Sequence, residues 1–524
     1  MSEESGVPRS RPTLTLITVC VAGGLLPLSL TGSSMALPGI NADLEPGLAA
    51  LQWVVNAYNL LFASLMLAAG SLADRLGRRR MFVIGSVLFA SASAVSAAAG
   101  HILVIDVARA IAGVGAAAVL TSGSAILAQT FQGPALGKAF GALGTSFGFG
   151  LAFGPFLSGL LVSAGGWRAV FAAHAAVSLL VLLVSRLLPE SRSAAATRVD
   201  WLGTITFSGS LLAFVLAVVQ APQIGWTDPV TVALFVGCAL LMVAFVFAER
   251  RQAAPMFDLS LFRQSRYVAA CLVPVALAFG FVTLLVLLPS YLISVDGVSA
   301  QRAGVTLLLL TAPTLIMPSI AGYLSRWVSA RVLLVVTLLL VGGGAAWLTV
   351  IDRGVGVLTI AGPLLTIGVG MGISLAILDA TAVSSVEPER AGMAAGMFNT
   401  MRLSGEVVAI ATMGSVLAGL TQARLAEGIG GFQAAGAPSA SEAAGQIVAG
   451  DLGAVAERVA PESRAAFVDF AAGAYSDGFH TALWVLAIAT VLAAPVIGVL
   501  LRERKAAATG LHSEPAARSL DPVA

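Results

Sequence analysis

The chain has 524 residues, of which 58% are hydrophobic and 11% are charged, and its mean hydropathy is +0.93. Soluble globular proteins average about 45–50% apolar and about 25% charged residues, so this composition excludes the soluble, disordered and fibrous classes. The formal net charge is +2 and no basic block stands out, so nothing favours a nucleic-acid partner. We therefore expect an all-α integral membrane protein.

Fourteen apolar stretches predict transmembrane helices, since about 20 residues cross about 30 Å of hydrocarbon. In chain order they cover 13–37, 51–72, 81–100, 102–127, 137–162, 168–188, 201–221, 229–248, 267–290, 302–323, 331–351, 357–378, 394–420 and 479–501. Pro27 and Pro38 interrupt the first stretch, which also lacks a clean cleavage site, so we do not expect it to be a cleaved signal peptide.

Basic residues indicate which way the helices run. Most arginines lie at helix ends on the side that holds both termini, whereas the short loops 38–50 and 221–228 on the other side contain no Lys or Arg. The positive-inside rule then places both termini in the cytoplasm. The long loop 421–478 lies outside, and apolar residues recur at helical spacing within 447–470. This pattern predicts an amphipathic helix pair resting on the outer surface; the alternative is a substrate gate or a partner-binding site.

An internal repeat indicates two related halves. The sequence Ala69–Arg75 ends the second predicted helix and returns in outline as Ala321–Arg326 at the end of the tenth. The offset of eight predicts two six-helix halves with two extra helices between them, and repeated halves are typical of secondary transporters. The predicted organisation is a tail 1–12, a bundle 13–190, linker helices 191–265, a second bundle 266–501 and a tail 502–524.

The strongest local motif is the loop 70–80, which reads GSLADRLGRRR. Its glycines allow close helix approach and a tight turn, and its aspartate and arginines can form a charge network. The arginines alone would also suit a plain anchor loop. The full spacing closely resembles the cytoplasmic loop signature of the major facilitator superfamily. That resemblance assigns an inner gate loop to Gly70, Asp74, Arg75, Gly77, Arg78 and Arg79.

Arg109 lies inside the fourth predicted helix, followed by Gly113 and Gly115 in a pattern that resembles a second motif of the superfamily. Burial of an arginine costs about 2.5–3.5 kcal/mol on insertion scales, so Arg109 should face a polar cavity or a partner. The resemblance links Arg109 to proton transfer, and we add Asp106, one turn earlier, to the predicted proton-coupling group. The alternative is that Arg109 reaches the outer surface together with Asp106.

The fifth predicted helix carries a small face and a further motif. Ser146, Gly150, Gly154 and Ser158 recur every four residues and favour close helix packing, while Pro155 adds a bend. The segment resembles the motif of the exporters in this superfamily, with Gly150, Gly154, Pro155 and Gly159 at the matching positions. Together with segments 200–203 and 388–402, it is similar to the fourteen-span drug:proton antiporters. The resemblance implies a major facilitator fold in a 6+2+6 arrangement.

One departure from that family concerns the proton. Where the family has an aspartate in its first helix, this chain has Ser29, which cannot titrate. Glu406 is the carboxylate that we place deep in the membrane, with Arg402 one turn earlier on the same helix face. A lone carboxylate in hydrocarbon is more stable when protonated, whereas a nearby arginine favours the charged form. Glu406 and Arg402 are therefore predicted to load and release a proton; the alternative is a static ion pair.

The sequence predicts a secondary active exporter of amphipathic drugs or antibiotics, driven by proton antiport. Residues expected to line its substrate cavity are Trp53, Asn56, Tyr58, Asn59, Phe398 and Asn399. We expect a monomer in the plasma membrane that uses the proton gradient and no cofactor, and no enzyme motif is found. Two alternatives remain open at this point: a dedicated self-resistance exporter of one natural product, and an uncoupled facilitator or sensor.

Overall fold

The computed structural model describes residues 12–131, 134–190, 200–251, 259–383, 391–433 and 436–502, and these ranges contain helices and no strand. The long helices of the first part are α1 (Pro12–Leu44), α2 (Leu48–Leu76), α3 (Arg78–Ala98), α4 (Ile102–Thr130), α5 (Pro134–Ser185), α6 (Trp201–Ile224) and α7 (Pro229–Arg251). The second part contains α8 (Ser265–Leu277), α9 (Thr283–Asp296), α10 (Ala300–Thr311), α11 (Pro313–Leu324), α12 (Ala330–Trp347), α13 (Val357–Val383), α14 (Ala391–Gly428), α15 (Gly430–Gln433), α16 (Ala440–Val448), α17 (Leu452–Glu457) and α18 (Pro461–Leu500).

The predicted spans all fall on helices. Among the described residues, twelve helical segments are long and apolar enough to cross a membrane. One of them, Ala139–Ser185, bends at Gly165 and Gly166 and holds the fifth and sixth predicted spans. The second predicted span lies in α2, some of whose side chains are outside the description. The all-α membrane fold of about fourteen spans is thus confirmed.

Several spans are interrupted where the sequence weakens a regular helix. The ninth predicted span consists of α8, a π-helical turn at Ala278–Val282 and α9. The tenth is divided between α10 and α11 at Pro313, which lacks the backbone N–H that a continuous helix needs. These breaks were not evident from apolar length alone.

The bend in α5 is fixed by its neighbours. Gly166 has φ of +71°, a conformation that glycine adopts without steric penalty. The next residue, Trp167, donates from Nε1 to Asp43 Oδ2 at 3.1 Å, and Arg168 forms a salt bridge with the same carboxylate. The end of α1 therefore holds the turn between the fifth and sixth spans.

The two extra helices pack together and contact both halves. α6 packs on α7 and also on α2 and α14. Asp200 Oδ1 accepts a hydrogen bond from the Gly203 N–H at 2.7 Å and so caps the start of α6. On the other side, the Ser415 hydroxyl on α14 donates to the Val218 carbonyl on α6. These contacts agree with the 6+2+6 arrangement.

The two six-helix halves meet mainly away from the arginine-rich loops. We call the end of the bundle that contains Gly77 the arginine face and the other end the opposite face. At the opposite face, Gly159 on α5 lies beside Ala300 on α10. In the middle of the bundle, the Thr311 hydroxyl on α10 donates to the Ala152 carbonyl on α5 at 2.8 Å. Towards the arginine face, Gly144 on α5 has open space where a side chain would stand.

Candidate functional site

Arg109 is buried inside the first half although it is charged. The absence of a side chain at Gly113 lets α4 lie directly against the backbone of Tyr58 on α2. Arg109 Nε donates to the Val54 carbonyl and Nη1 donates to the Ser29 hydroxyl, both at 2.9 Å. Its Cζ lies 4.2 Å from the centre of the Tyr58 ring, which is a cation–π contact. Arg109 thus joins α4 to α1 and α2.

These contacts decide where the Arg109 side chain goes. Arg109 is 1% exposed and its donors reach α1 and α2, so it does not extend to the outer surface together with Asp106. One carboxylate oxygen of Asp106 and Nη2 of Arg109 are buried without a hydrogen-bond partner among the described residues. The participation of Asp106 in proton coupling stays a prediction.

Glu406 lies on α14 at the boundary between the halves, because α14 packs against α2. The residue is half-buried. Arg402 lies one helical turn earlier on the same helix. The salt bridges of the described residues do not include Glu406 with Arg402, so the static ion pair is not formed in this structure.

Arg402 faces the other half of the molecule. Its Cζ lies 5.9 Å from the centre of the Phe147 ring on α5, and its Nε is buried without a hydrogen-bond partner in the described chain. The sequence gives no direct sign of the Phe147 contact, because the two residues lie far apart in the chain. Arg402 is placed to influence the charge of Glu406 without neutralising it in a direct ion pair.

The residues predicted to line a substrate cavity divide into two groups. Trp53 and Asn399 are half-buried, and the others are buried in this conformation: Asn56, Tyr58, Asn59 and Phe398. Asn56 Oδ1 and Asn59 Nδ2 have no hydrogen-bond partner among the described residues, so α2 presents unpaired polar atoms in the interior. Their contact with a substrate stays a prediction.

The glycine–arginine loop between α2 and α3 holds the end of α5 through an acid that sequence reasoning missed. Gly77 has φ of +112°, and an ideal Cβ there would lie 2.6 Å from Glu190 Oε1. Glu190 accepts from the Arg79 backbone N–H at 3.2 Å and forms salt bridges with Arg79 and Arg80 at 3.6 and 3.8 Å. Its position just after the sixth predicted span, at the same end of the bundle as the loop, is the sequence signal that could have indicated this contact.

Other members of the loop motif have simpler surroundings. Gly70 lies near Thr121 on α4, Arg75 is exposed, and Arg78 donates from Nη1 to the Ala125 carbonyl at 3.4 Å. The side chain of Asp74 lies outside the described part of the chain. The described loop contacts therefore lie within the first half.

The small face of α5 packs on α1. An ideal Cβ at Gly150 would collide with the Gly24 carbonyl oxygen and lie 2.7 Å from Pro27 Cγ, and one at Gly154 would collide with the Thr31 hydroxyl. Close helix contact of this kind requires residues without side chains. Gly159 and Pro155 continue the motif on another side of α5, where they lie beside Ala300 and Gly304 of α10. The exporter motif therefore connects α1 to the second half.

Residues 429–460, between α14 and α18, lie on the opposite face, and we call this segment the cap. The predicted external loop 421–478 includes the end of α14, which runs to Gly428, and the start of α18 at Pro461. The apolar residues that predicted helices are buried: Ile447, Val448, Leu452, Val455, Val459 and Phe467.

The cap also bridges the halves. Asn41 Nδ2 on α1 donates to Asp451 Oδ2 at 2.8 Å, and Ser294 on α9 donates to the Ile447 carbonyl at 2.7 Å.

We expect Asn41→Ala to loosen this bridge, because it removes one hydrogen bond between the cap and the first half, worth about 1 kcal/mol. Ser290 lies beneath Gly450 of the cap and is 5% exposed, so a Ser290→Cys reporter should react faster with a maleimide in purified Asn41→Ala protein. Ser439→Ala serves as the control, because it removes only the hydrogen bond that the Ser439 side chain accepts at the start of α16. An unchanged labelling rate in Asn41→Ala would contradict the bridging role.

A model described as Major Facilitator Superfamily matches residues 19–410 of the chain. The chain belongs to the major facilitator superfamily. A bacterial homologue of the human lysosomal transporter Spinster, solved in an inward-facing and occupied conformation, aligns with a TM-score of 0.64 over 93% of this chain and 96% of that one. Its sequence identity is 16%, so that likeness concerns the fold.

Curated relatives in this superfamily are more similar in sequence. Multidrug resistance protein Stp of Mycobacterium tuberculosis is 34% identical over 79% of this chain and 77% of its own length. The puromycin resistance protein pur8 of Streptomyces alboniger is 34% identical over 80% of this chain and 84% of its own length. This major facilitator is thus a multi-pass membrane transporter and not an enzyme.

Proposed function

We propose that this major facilitator exports small amphipathic drugs or antibiotics across the plasma membrane and takes up protons in exchange. The names of its relatives support the substrate class, since Stp is a multidrug resistance protein and pur8 a puromycin resistance protein. The observation that carries proton exchange is the half-buried carboxylate of Glu406 between the halves, with no salt bridge to Arg402 among the described residues.

In this proposal Glu406 binds either a proton or the substrate. Removal from water favours the neutral carboxylic acid, while a nearby arginine such as Arg402 favours the carboxylate, so a small change in hydration shifts the balance. A single carboxylate between the halves suits neutral or singly charged substrates better than dications. Proton entry contributes about 2.3 kcal/mol per 100 mV of membrane potential, so export needs no bound cofactor.

The arrangement of the halves supports alternating access. The proposal places the arginine face and both termini in the cytoplasm, following the positive-inside rule. The contacts between Gly159 and Ala300 and between Asn41 and Asp451 then close the outer side. Open space at Gly144 lies towards the cytoplasm. In this state a substrate enters from the inside, and the loop at Gly77 would control the inner gate. We propose that one monomer performs the cycle.

The proposal is tested with respiring everted membrane vesicles that contain the full chain. We expect ethidium or puromycin to accumulate in the vesicles while their interior is acidic, because export in the cell becomes uptake in everted vesicles. An uncoupler should abolish the accumulation. Transport that continues at the full rate after the uncoupler would contradict proton antiport and favour a facilitator. Vesicles without the protein provide the background.

A further inference from the structure

Arg402 of α14 and Phe147 of α5 face each other across the boundary between the halves. The Arg402 Cζ lies 5.9 Å from the centre of the Phe147 ring, and both side chains are half-buried. The ring also lies against α1, since an ideal Cβ at Gly23 would lie 3.6 Å from Phe147 Cε2. A ligand held by this pair would therefore contact both halves, and substrate sites of secondary transporters lie at such an interface.

The pair lies where the contact between the halves ends. An ideal Cβ at Gly148, the residue after Phe147, would lie 3.2 Å from the Thr314 carbonyl oxygen of α11, so the halves meet there. Gly144, one turn nearer the arginine face, has nothing within 4 Å of an ideal Cβ. Phe147 and Arg402 therefore lie at the closed end of the space that opens towards the arginine face.

The guanidinium of Arg402 has fewer partners than that of Arg109. The Arg109 Cζ lies 4.2 Å from the centre of an aromatic ring, and its side chain donates two hydrogen bonds of 2.9 Å. Arg402 is farther from its ring, its buried Nε has no hydrogen-bond partner in the described chain, and no salt bridge of the described residues includes it. A buried N–H without an acceptor is costly, so the donors of Arg402 favour a ligand that brings oxygen atoms.

We propose that Arg402 and Phe147 bind the substrate and favour planar aromatic compounds with a carbonyl or phenolate oxygen at the edge of the ring. The substrate ring would stack on Phe147, and its oxygen would accept a hydrogen bond from the Arg402 guanidinium. Replacing the present contact costs little, because 5.9 Å is near the limit of cation–π attraction. The inference rests on the proposed export function and specifies the preferred substrates within the amphipathic class.

Two dyes with the same fused aromatic frame test this preference in purified full-length protein. Resorufin is an anion that carries oxygen atoms at the ring positions where the cation pyronin Y carries dialkylamino groups. Arg402→Met keeps an unbranched side chain but removes every donor. By fluorescence titration we expect it to bind resorufin about tenfold more weakly than the wild type, because a charge-assisted hydrogen bond is lost. Its affinity for pyronin Y should not fall, which also shows that the variant is folded.

The matched control is Arg424→Met on the same helix, where the arginine side chain is 50% exposed and paired with Glu427. It should bind both dyes as the wild type does. Phe147→Leu should weaken the binding of both dyes several-fold, because it removes the stacking surface. An equal loss of affinity for the two dyes in Arg402→Met, or no binding of resorufin by the wild type, would overturn the inference.

A further comparison separates direct contact from an effect through Glu406, one turn along α14. In the Glu406→Gln background, Arg402→Met should still weaken resorufin binding about tenfold, because the dye contacts the arginine itself. If the loss disappears in this background, Arg402 acts through Glu406 and the inference is wrong. Ethidium transport that ignores an uncoupler would instead contradict the proposed antiport and leave the dye-binding comparison unchanged.

Discussion

Gly150→Ala is expected to destabilise the protein and to abolish most of its transport. The added methyl group would collide with the Gly24 carbonyl oxygen and lie 2.7 Å from Pro27 Cγ. A backbone atom of α1 cannot rotate away, so α1 and α5 must separate. Overpacking of this kind costs about 1–3 kcal/mol, and the separation also disturbs the contacts between α5 and the second half.

The matched control is Gly144→Ala on the same helix, where nothing lies within 4 Å of an added methyl group. Alanine favours a helix over glycine by about 0.5–1 kcal/mol, so this variant should be more stable than the wild type. The thermal midpoints of the two purified variants should therefore move in opposite directions. Equal midpoints for Gly150→Ala and the wild type would contradict the close packing of α5 on α1.

Much of the fold could be predicted from the sequence because apolar length and helical spacing are local properties. The stretches 13–37 and 51–72 fall within α1 and α2, and the small face at Gly150 and Gly154 packs closely on α1. The full lengths of α14 and α18 were harder to predict. Both helices extend beyond the apolar stretches 394–420 and 479–501, because polar helix ends carry no hydropathy signal.

Tertiary partners were harder to predict, because they depend on which helices meet. Glu190 belongs to no motif, yet it accepts a hydrogen bond from the backbone N–H of Arg79, two residues after Gly77. The contact of the Tyr58 ring with Arg109 was also not predicted. Neither contact follows from spacing, because the partners are distant in sequence and meet only when α2, α4 and α5 assemble.

The serine at position 29 gives Arg109 an unusual environment. The hydroxyl of Ser29 accepts a hydrogen bond from Arg109 but supplies no negative charge. An arginine in a low-dielectric interior is then stabilised by dipoles and by the Tyr58 ring. We propose that proton loading has shifted to Glu406 on α14.

Glu406→Gln is expected to reduce proton-coupled export by about tenfold or more. Glutamine has nearly the same size and hydrogen-bonding capacity, but it neither binds nor releases a proton. Its neutral side chain resembles the protonated glutamate, so the protein should still fold and pack α14 against α2. The matched control is Glu427→Gln on the same helix, where the side chain is 68% exposed and paired with Arg424.

The most direct measurement follows protons in respiring everted vesicles with a dye that reports the pH of the interior. Addition of ethidium to vesicles with wild-type protein or Glu427→Gln should make the interior less acidic, because protons leave as ethidium enters. Glu406→Gln vesicles should show no such change. A full proton signal from Glu406→Gln would contradict the assignment of Glu406, and its absence from wild-type vesicles that still accumulate ethidium would contradict proton antiport.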